Sequence, residues 1–492
     1  TLSHPANTDT AAPWTVDGKI DITCSSFTLT STGLINVSGK GYAGGVGPAD
    51  GYGPGAGRSG GTGSGGGGGG HGGAGGKGGW GTPGTGGSAY DSVSSPQYPG
   101  SGGGGSKTTT AGGAGGGLVQ ITAAGAVLLD GTIRANGRDG VSVAGGGAGA
   151  GSGGAIHIVA DTLQGSGLLE AYGGYGNGWG GGGGGGIVTV DVNAASQSAL
   201  PHPTVGINVK GGGAQYAGSG GNSRPGEAGV VYVTDQAVLP ELWTADAVLA
   251  GFTSWTPDQL SIQGCKLTLA DEGSLAVSGD LVLQNATLTM NLGSLSTGGD
   301  LRITDSTLVA NRGAGAAPSI QVGGSLVMQG GKLYVHAANG EVVPVTVVAA
   351  IDLSSNSWVY PTSDSATGGV VKLTAGDVTI SADSGISADG RGFGGGPAGG
   401  DGFGPGHGSG GAYGGGAGYG GAGGSAPWGG GAGGGAYGSL ENPADPGSGG
   451  GGGSGGAGRP GSAGGGMVWL EVPFGTLDLE GLLTAKGANA VG

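Results

Sequence analysis

Three aspartates, Asp377, Asp383 and Asp389, stand six residues apart in DVTISADSGISADG. Carboxylates gathered in one place do acid and base work, above all on polysaccharides. Even spacing puts all three on one side of a strand. They follow one segment rather than crossing several, so turn and solvent-face roles fit them better. The histidines are no better placed. His71 and His407 lie in glycine-rich stretches far apart in sequence and without ligand-type partners, and His157, between Ile156 and Ile158, is expected to face outward from a strand. GGDGFGPGH, around Asp401, approaches the calcium nonapeptide GGxGxDx only once and in the wrong phase. No GxSxG, HExxH or GxxxxGK[ST] occurs, and with 136 glycines a GxGxxG match carries no information. GSKTTT at 105–110 lacks the spacing of a phosphate loop. Cys24 and Cys265 form no CxxC motif and read as small core positions. The sequence therefore predicts no catalytic residue, no metal site and no cofactor, and a protein that is not an enzyme.

Aromatic residues are the remaining candidates. Trp80, Trp428, Tyr90, Tyr437 and Trp179 sit within glycine-rich stretches, where flat rings beside bare backbone can stack on sugar rings or on a partner surface. The same rings can instead lock glycine strands together. Exposure of Trp80 and Trp428 would favour recognition, and burial would favour the lock.

What must position these rings is a chain of 492 residues with 10% charged and 5% aromatic residues. Seventeen basic against 32 acidic residues give a net charge of −15, which repels nucleic acid and anionic membranes. No apolar run reaches the roughly 18 residues of a membrane helix. The opening TLSHPANTDTAAPW lacks the basic and apolar regions of a secretion signal, so it reads as the start of a mature or excised piece. Collagen is excluded, because here the third position of the period is the one that is not glycine.

The chain repeats at two scales. Leu260, Leu281, Leu301 and Leu326 open equivalent apolar/polar segments 21, 20 and 25 residues apart, the last spacing enlarged around RGAGAA. A period near 20 predicts the coils of a parallel β-solenoid, since one coil cannot bury its inner face alone. Elsewhere a short signature recurs: GLINVSG at 33, GTIRANG at 131, GLLEAYG at 167, GINVKG at 206, GISADG at 385 and GLLTAKG at 481. All but the last lead into a glycine-rich excursion and then a strand such as LVQITA, AIHIVA or IVTVDV. On the larger scale GYGPG at 51 matches GFGPG at 402, Trp80 matches Trp428, SPQYPGSG matches NPADPGSG and GTIRANG matches GLLTAKG, at offsets of 351, 348, 347 and 350.

Five segments follow from this pattern. Residues 1–19 form an N-terminal segment, 20–137 coils with a first long glycine insertion, and 138–229 coils with short glycine loops. Residues 230–371 form glycine-poor coils, and 372–492 carry the second copy of the long cassette. The repeat predicts that the natural chain continues past Gly492, or that a neighbouring subunit covers that end. In GSGGGGGGHGGAGGKGGWG, residues 63–81, His71, Ala74, Lys77 and Trp80 fall on every third position, and Tyr419, Ala422, Ser425 and Trp428 keep the same phase. Three residues per turn is polyproline II geometry, so the tract is expected to run as one strand of an ordered bundle whose bare backbones hydrogen-bond to each other.

The alternation of a GxIxAxG strand, a glycine-rich loop and an IHIVA or IVTV strand resembles the glycine-rich parallel β-helix repeats of large secreted bacterial surface proteins. The three-residue glycine phase is similar to the polyglycine II bundles of some phage tail-tip adhesins and small glycine-rich ice-binding proteins. The resemblance implies an all-β, right-handed parallel β-solenoid with polyglycine II-like insertions, located outside the cell or on its surface. It implies a structural role in a filament, sheath or adhesive fibre, with self-association end to end or side by side. A glycan- or receptor-binding adhesin is the alternative, and a β-helix polysaccharide lyase or hydrolase the next.

Overall fold

The structure, a computed structural model, describes residues 1–492 except 62, 108, 144–145, 219–220, 313–318, 456–457 and 490–492. The RGAGAA insertion and the end of ANAVG thus fall largely outside the described residues. The fold is all-β with extensive parallel pairing; among the described residues the α-helical content is one short helix, Ala194–Gln197. The chain divides into two compact units, Thr1–Phe252 with Cys265–Asp271, and Thr253–Gly264 with Glu272–Gly492.

In the first unit three sets of strands form parallel ladders. Ile20–Cys24, Leu118–Ala123, Ala155–Ala160, Ile187–Val192 and Val230–Val233 pair in that order. Phe27–Leu29, Ala126–Leu129 and Thr162–Gln164 form the second ladder. The signature strands Leu34–Asn36, Thr132–Arg134, Leu168–Glu170 and Gly206–Asn208 form the third, with Ile35, Ile133, Leu169 and Ile207 aligned and buried. Alternation decides which side chains face in: Ile156 and Ile158 are buried while His157 is half-exposed between them.

The second unit repeats the arrangement. Leu281 pairs with Leu301, Leu301 with Leu326 and Leu326 with Ile351, all fully buried. Leu260 aligns with Leu281 at the other side of that ladder. Each buried leucine contributes about 1.5–3 kcal/mol by leaving water. After these strands the chain turns through a left-handed residue, Gly264, Asn285, Asp305 or Gly330, before the next strand begins. Glycine, asparagine and aspartate tolerate that conformation best, which is why these corners carry them.

The glycine tracts are held by backbone hydrogen bonds. Along 65–70, successive N–H groups donate in rotation to three neighbouring segments. Gly65 and Gly68 donate to Gly79 and Gly76, Gly66 and Gly69 to Gly147 and Ala150, and Gly67 and Gly70 to Arg58 and Gly55, all at 2.8–2.9 Å. The carbonyls of the same tract accept from three further segments: Gly84 and Gly87, Gly181 and Gly184, and Gly104. A three-residue rotation among six neighbours satisfies the backbone on every side. Close approach demands glycine: a Cβ on Gly68 would lie 1.9 Å from the Gly182 carbonyl oxygen.

One expectation needs correcting. Residues 63–81 are two antiparallel strands, not one, because the chain reverses where the His71 N–H bonds the Gly73 carbonyl at 3.0 Å. Folding back lets Gly65 and Gly68 bond their own sequence neighbours, which a single straight strand cannot do.

Candidate functional site

The aromatic candidates divide into two kinds. Tyr90 and Tyr437, equivalent in the two cassettes, are tied down through their hydroxyls. Tyr90 donates to the Pro99 carbonyl and accepts from Ser101 Oγ at 3.0 Å. Tyr437 donates to the Pro446 carbonyl and accepts from Ser448 Oγ at 2.9 Å. Burial pushes both phenols above their ordinary value, although the serine hydrogen bonds pull the other way. These two tyrosines close the loop rather than present a ring to a ligand.

The tryptophans are presented. Trp80 is 58% exposed and Trp428 is 89% exposed, each in left-handed backbone geometry at φ 61° and φ 53°. Trp80 stacks on half-buried Trp179, with ring centroids 5.5 Å apart and planes 15° apart. Trp428 meets Tyr413 edge-on, with ring centroids 6.5 Å apart. The Trp80 and Trp179 pair is therefore a flat aromatic platform, whereas Trp428 is a projecting ring.

Sequence reasoning missed a buried polar pair. His71 is fully buried; its Nδ1 lies 3.1 Å from the Gly153 carbonyl and its Nε2 lies 3.4 Å from Asp91 Oδ2. Asp91 also accepts from the backbone N–H groups of Ser92, Gln97 and Tyr98. Burial alone would raise the Asp91 carboxyl, but His71 and these N–H groups outweigh it and hold the group below the usual carboxylate range. In the second cassette Tyr419 and Gly438 stand at the corresponding positions, and Tyr419 packs against Tyr437 at 5.0 Å. His71 and Asp91 stand 20 residues apart across a glycine-rich stretch, which leaves no spacing signal to read.

The acidic candidates do not converge. Asp377 accepts from the Thr476 N–H, Asp383 from the Ser384 hydroxyl, and Asp389 from the Thr484 hydroxyl and the Lys486 N–H. Each bonds the turn or the strand beside it. Among the described residues no group of three His, Cys, Asp or Glu side chains is placed to hold a metal ion. Cys24 and Cys265 are not joined in a disulfide; Cys24 is half-buried, and buried Cys265 donates its thiol to the Trp243 carbonyl at 3.6 Å. His407 turns back on the Gly404 carbonyl at 2.8 Å.

Two features of the second unit were also invisible in sequence. Tyr334 and Tyr360, aligned in the parallel register, stack at 4.6 Å, and the Arg391 guanidinium lies 4.4 Å from the Tyr360 ring. A hollow of about 380 Å³ gathers Arg312, His336 and Asp364. Arg312 pairs there with Glu341 at 3.1 Å, and Asp364 accepts from the N–H groups of Ala366 and Thr367. Burial, with the Arg391 charge, holds the His336 ring below its ordinary value. Arg312 and Asp364 thus each have partners, and His336 lines the hollow beside them.

A larger groove, about 1030 Å³, runs along the second cassette and is lined by backbone, including Gly414, Ala417, Gly451 and Ser462. No helix among the described residues is long and apolar enough to cross a membrane. No protein-family model, curated protein or solved structure matches the chain.

Proposed function

We propose that the chain is a non-enzymatic structural protein of the cell surface or extracellular space, a subunit or segment of a filament, sheath or adhesive fibre. Its strands form a right-handed parallel β-solenoid, and its glycine excursions form polyglycine II-type bundles braced against the coils. Stacking at about 4.8 Å per coil makes a stiff body without disulfides.

The observation that carries the reading is an apolar ladder that runs out into solvent. Val378 pairs with Leu477 and Ile380 with Leu479. Val378 and Ile380 are buried, but Leu477 and Leu479 are 45% and 42% exposed, and Phe474 beside them is fully exposed. Exposed leucines in register with a buried layer offer a template for a further coil, and a coil supplied by a second molecule would extend the ladder. A heterologous contact of this kind does not close, so it propagates as a fibre. Electron microscopy of the purified chain across a concentration series tests it: filaments are expected, lost on Leu479→Asp. Dispersed particles at every concentration, or filaments indifferent to Leu479→Asp, would remove the reading.

A second reading, a glycan-binding adhesin, draws on the exposed Trp80 and Trp179 platform and on Trp428. It expects glycan binding that disappears in the Trp80→Ala, Trp428→Ala double variant. Binding that survives both changes would exclude the tryptophans as its site.

A further inference from the structure

One outer face of the second unit brings rings and cations together. On it Thr307 aligns with Lys332 and Lys332 with Trp358, while Val309 aligns with Tyr334 and Tyr334 with Tyr360. The residues between them, Leu308, Leu333 and Val359, are fully buried, so the aligned set points outward. Tyr334 and Tyr360 stack from one strand to the next, and Trp358 lies beside Tyr360 with ring centroids 6.4 Å apart and planes 15° apart. Gly385 follows Trp358 in the ladder, and a Cβ there would lie 2.8 Å from Trp358 Cζ3. The indole therefore reaches over a position that has no side chain to cover it.

Hydrogen-bond donors surround these rings. The Arg391 guanidinium lies 4.4 Å from the Tyr360 ring and 5.4 Å from that of Tyr334, and it gives one N–H to the Thr362 hydroxyl at 3.0 Å. Its other side-chain N–H groups, the exposed Lys332 ammonium and the two phenol hydroxyls have no hydrogen-bond partner among the described residues. Neither cation pairs with a carboxylate there. Asp389, two residues before Arg391, is engaged elsewhere, by the Thr484 hydroxyl and the Lys486 N–H.

We propose that this face binds an acidic polysaccharide, a linear polymer of pyranose rings in which uronates are interspersed with neutral sugars. A sugar ring lies by its C–H face on Trp358, the carboxylates accept from Arg391 and Lys332, and the free phenols bond the sugar hydroxyls. Successive strands stand about 4.8 Å apart, close to the length of one pyranose unit, so a polymer running along the ladder meets a new position at each step. The positions before the rings, Thr307 and Val309, carry no charge. That pattern suits a polymer with neutral units between its anions, whereas a nucleic acid puts a phosphate on every unit and needs a continuous cationic track. The site shares no residue with Trp80, Trp179 or Trp428, so its test is independent of a glycan bound to those tryptophans.

The probe is a hyaluronan hexasaccharide, titrated by calorimetry into the full chain at low ionic strength, beside the same hexasaccharide with its carboxylates methyl-esterified. Saturable binding of the acid is expected, about tenfold tighter than that of the ester. Lys332→Gln, at an exposed side chain, should weaken the acid about threefold, and Arg391→Gln about tenfold. The Trp80→Ala, Trp428→Ala double variant should bind as the parent does. Absence of saturable binding, equal binding of the ester, or binding indifferent to both Lys332→Gln and Arg391→Gln would overturn the proposal. So would tighter binding of a single-stranded thymidylate oligomer of equal charge, since the occupant would then be a nucleic acid. Loss of binding in the tryptophan double variant would also overturn it, by placing the sugar on those rings.

Discussion

The two glycine cassettes share a sequence plan and differ in how much of it is hydrogen-bonded. Along 65–70 every N–H has a partner, whereas along the equivalent 413–418 the N–H groups of Gly415, Gly416 and Gly418 are bonded and those of Tyr413, Gly414 and Ala417 are not. Within the tract, past Tyr413 at its start, the unbonded Gly414 and Ala417 fall three residues apart. That is the signature of a threefold strand with neighbours on two of its three donor directions. Residues 65–70 are buried, but Ala412, Tyr413 and Gly416 of the second cassette are exposed. Order in a glycine tract thus depends on how many other tracts surround it, not on the tract's own composition.

The comparison can be broken most forcefully at a glycine crowded in one cassette and open in the other. A Cβ on Gly76 would lie 1.9 Å from the Arg224 carbonyl oxygen, while one on the equivalent Gly424 meets nothing within 4 Å. Gly76→Val is expected to cost about 3 kcal/mol, at the upper end of overpacking effects. Gly424→Val is expected to stay within about 0.5 kcal/mol of the parent. Denaturant titration of both variants measures the difference, and equal effects would mean that the two environments are alike.

The buried His71 and Asp91 pair is the next difference, since the second cassette has Tyr419 and Gly438 there. Asp91→Ala leaves the buried imidazole and several backbone N–H groups without their acceptor, at a cost of about 2 kcal/mol. The pair also gives the first cassette a pH dependence of definite sign. Because folding lowers the Asp91 carboxyl, its contribution is present above the ordinary carboxyl value of about 3.9 and is lost as pH falls through the lower folded value. Acid titration followed by amide signals should loosen residues 71–98 of the parent in that window. Asp91→Ala should show no such transition, and the region around Tyr437 should lack it in both proteins.

The smallest contrast concerns the tryptophans. Trp80→Ala removes a ring stacked on Trp179 and should cost about 1 kcal/mol. Trp428→Ala removes a ring that is 89% exposed and should change stability by less than about 0.5 kcal/mol. Thermal unfolding of the two variants orders them, and the reverse order would contradict the platform geometry.

Much of the strand framework was legible because side chains wrote it. Leu281, Leu301 and Leu326 mark aligned positions, and each segment ends at a glycine, asparagine or aspartate that takes the left-handed corner. The signature GxIxAxG located the strands at 34, 132, 168 and 206 because the buried Ile or Leu recurs with fixed neighbours. The glycine tracts gave their period but not their partners. A glycine carries no side chain to say whether Gly69 bonds Ala150 or some other carbonyl, nor that the chain reverses at His71. The tryptophans were legible as a pair by their offset. The Trp179 platform was not, since Trp179 lies outside the duplicated cassette.

Site-resolved amide hydrogen exchange tests the central claim, that glycine tracts are ordered by rotating backbone hydrogen bonds to surrounding tracts. The account predicts slow exchange at all six positions of 65–70. In the second cassette it predicts slow exchange at Gly415, Gly416 and Gly418, interrupted by fast exchange at Gly414 and Ala417. Uniformly fast exchange across 65–70, or no three-residue pattern across 414–418, would contradict it.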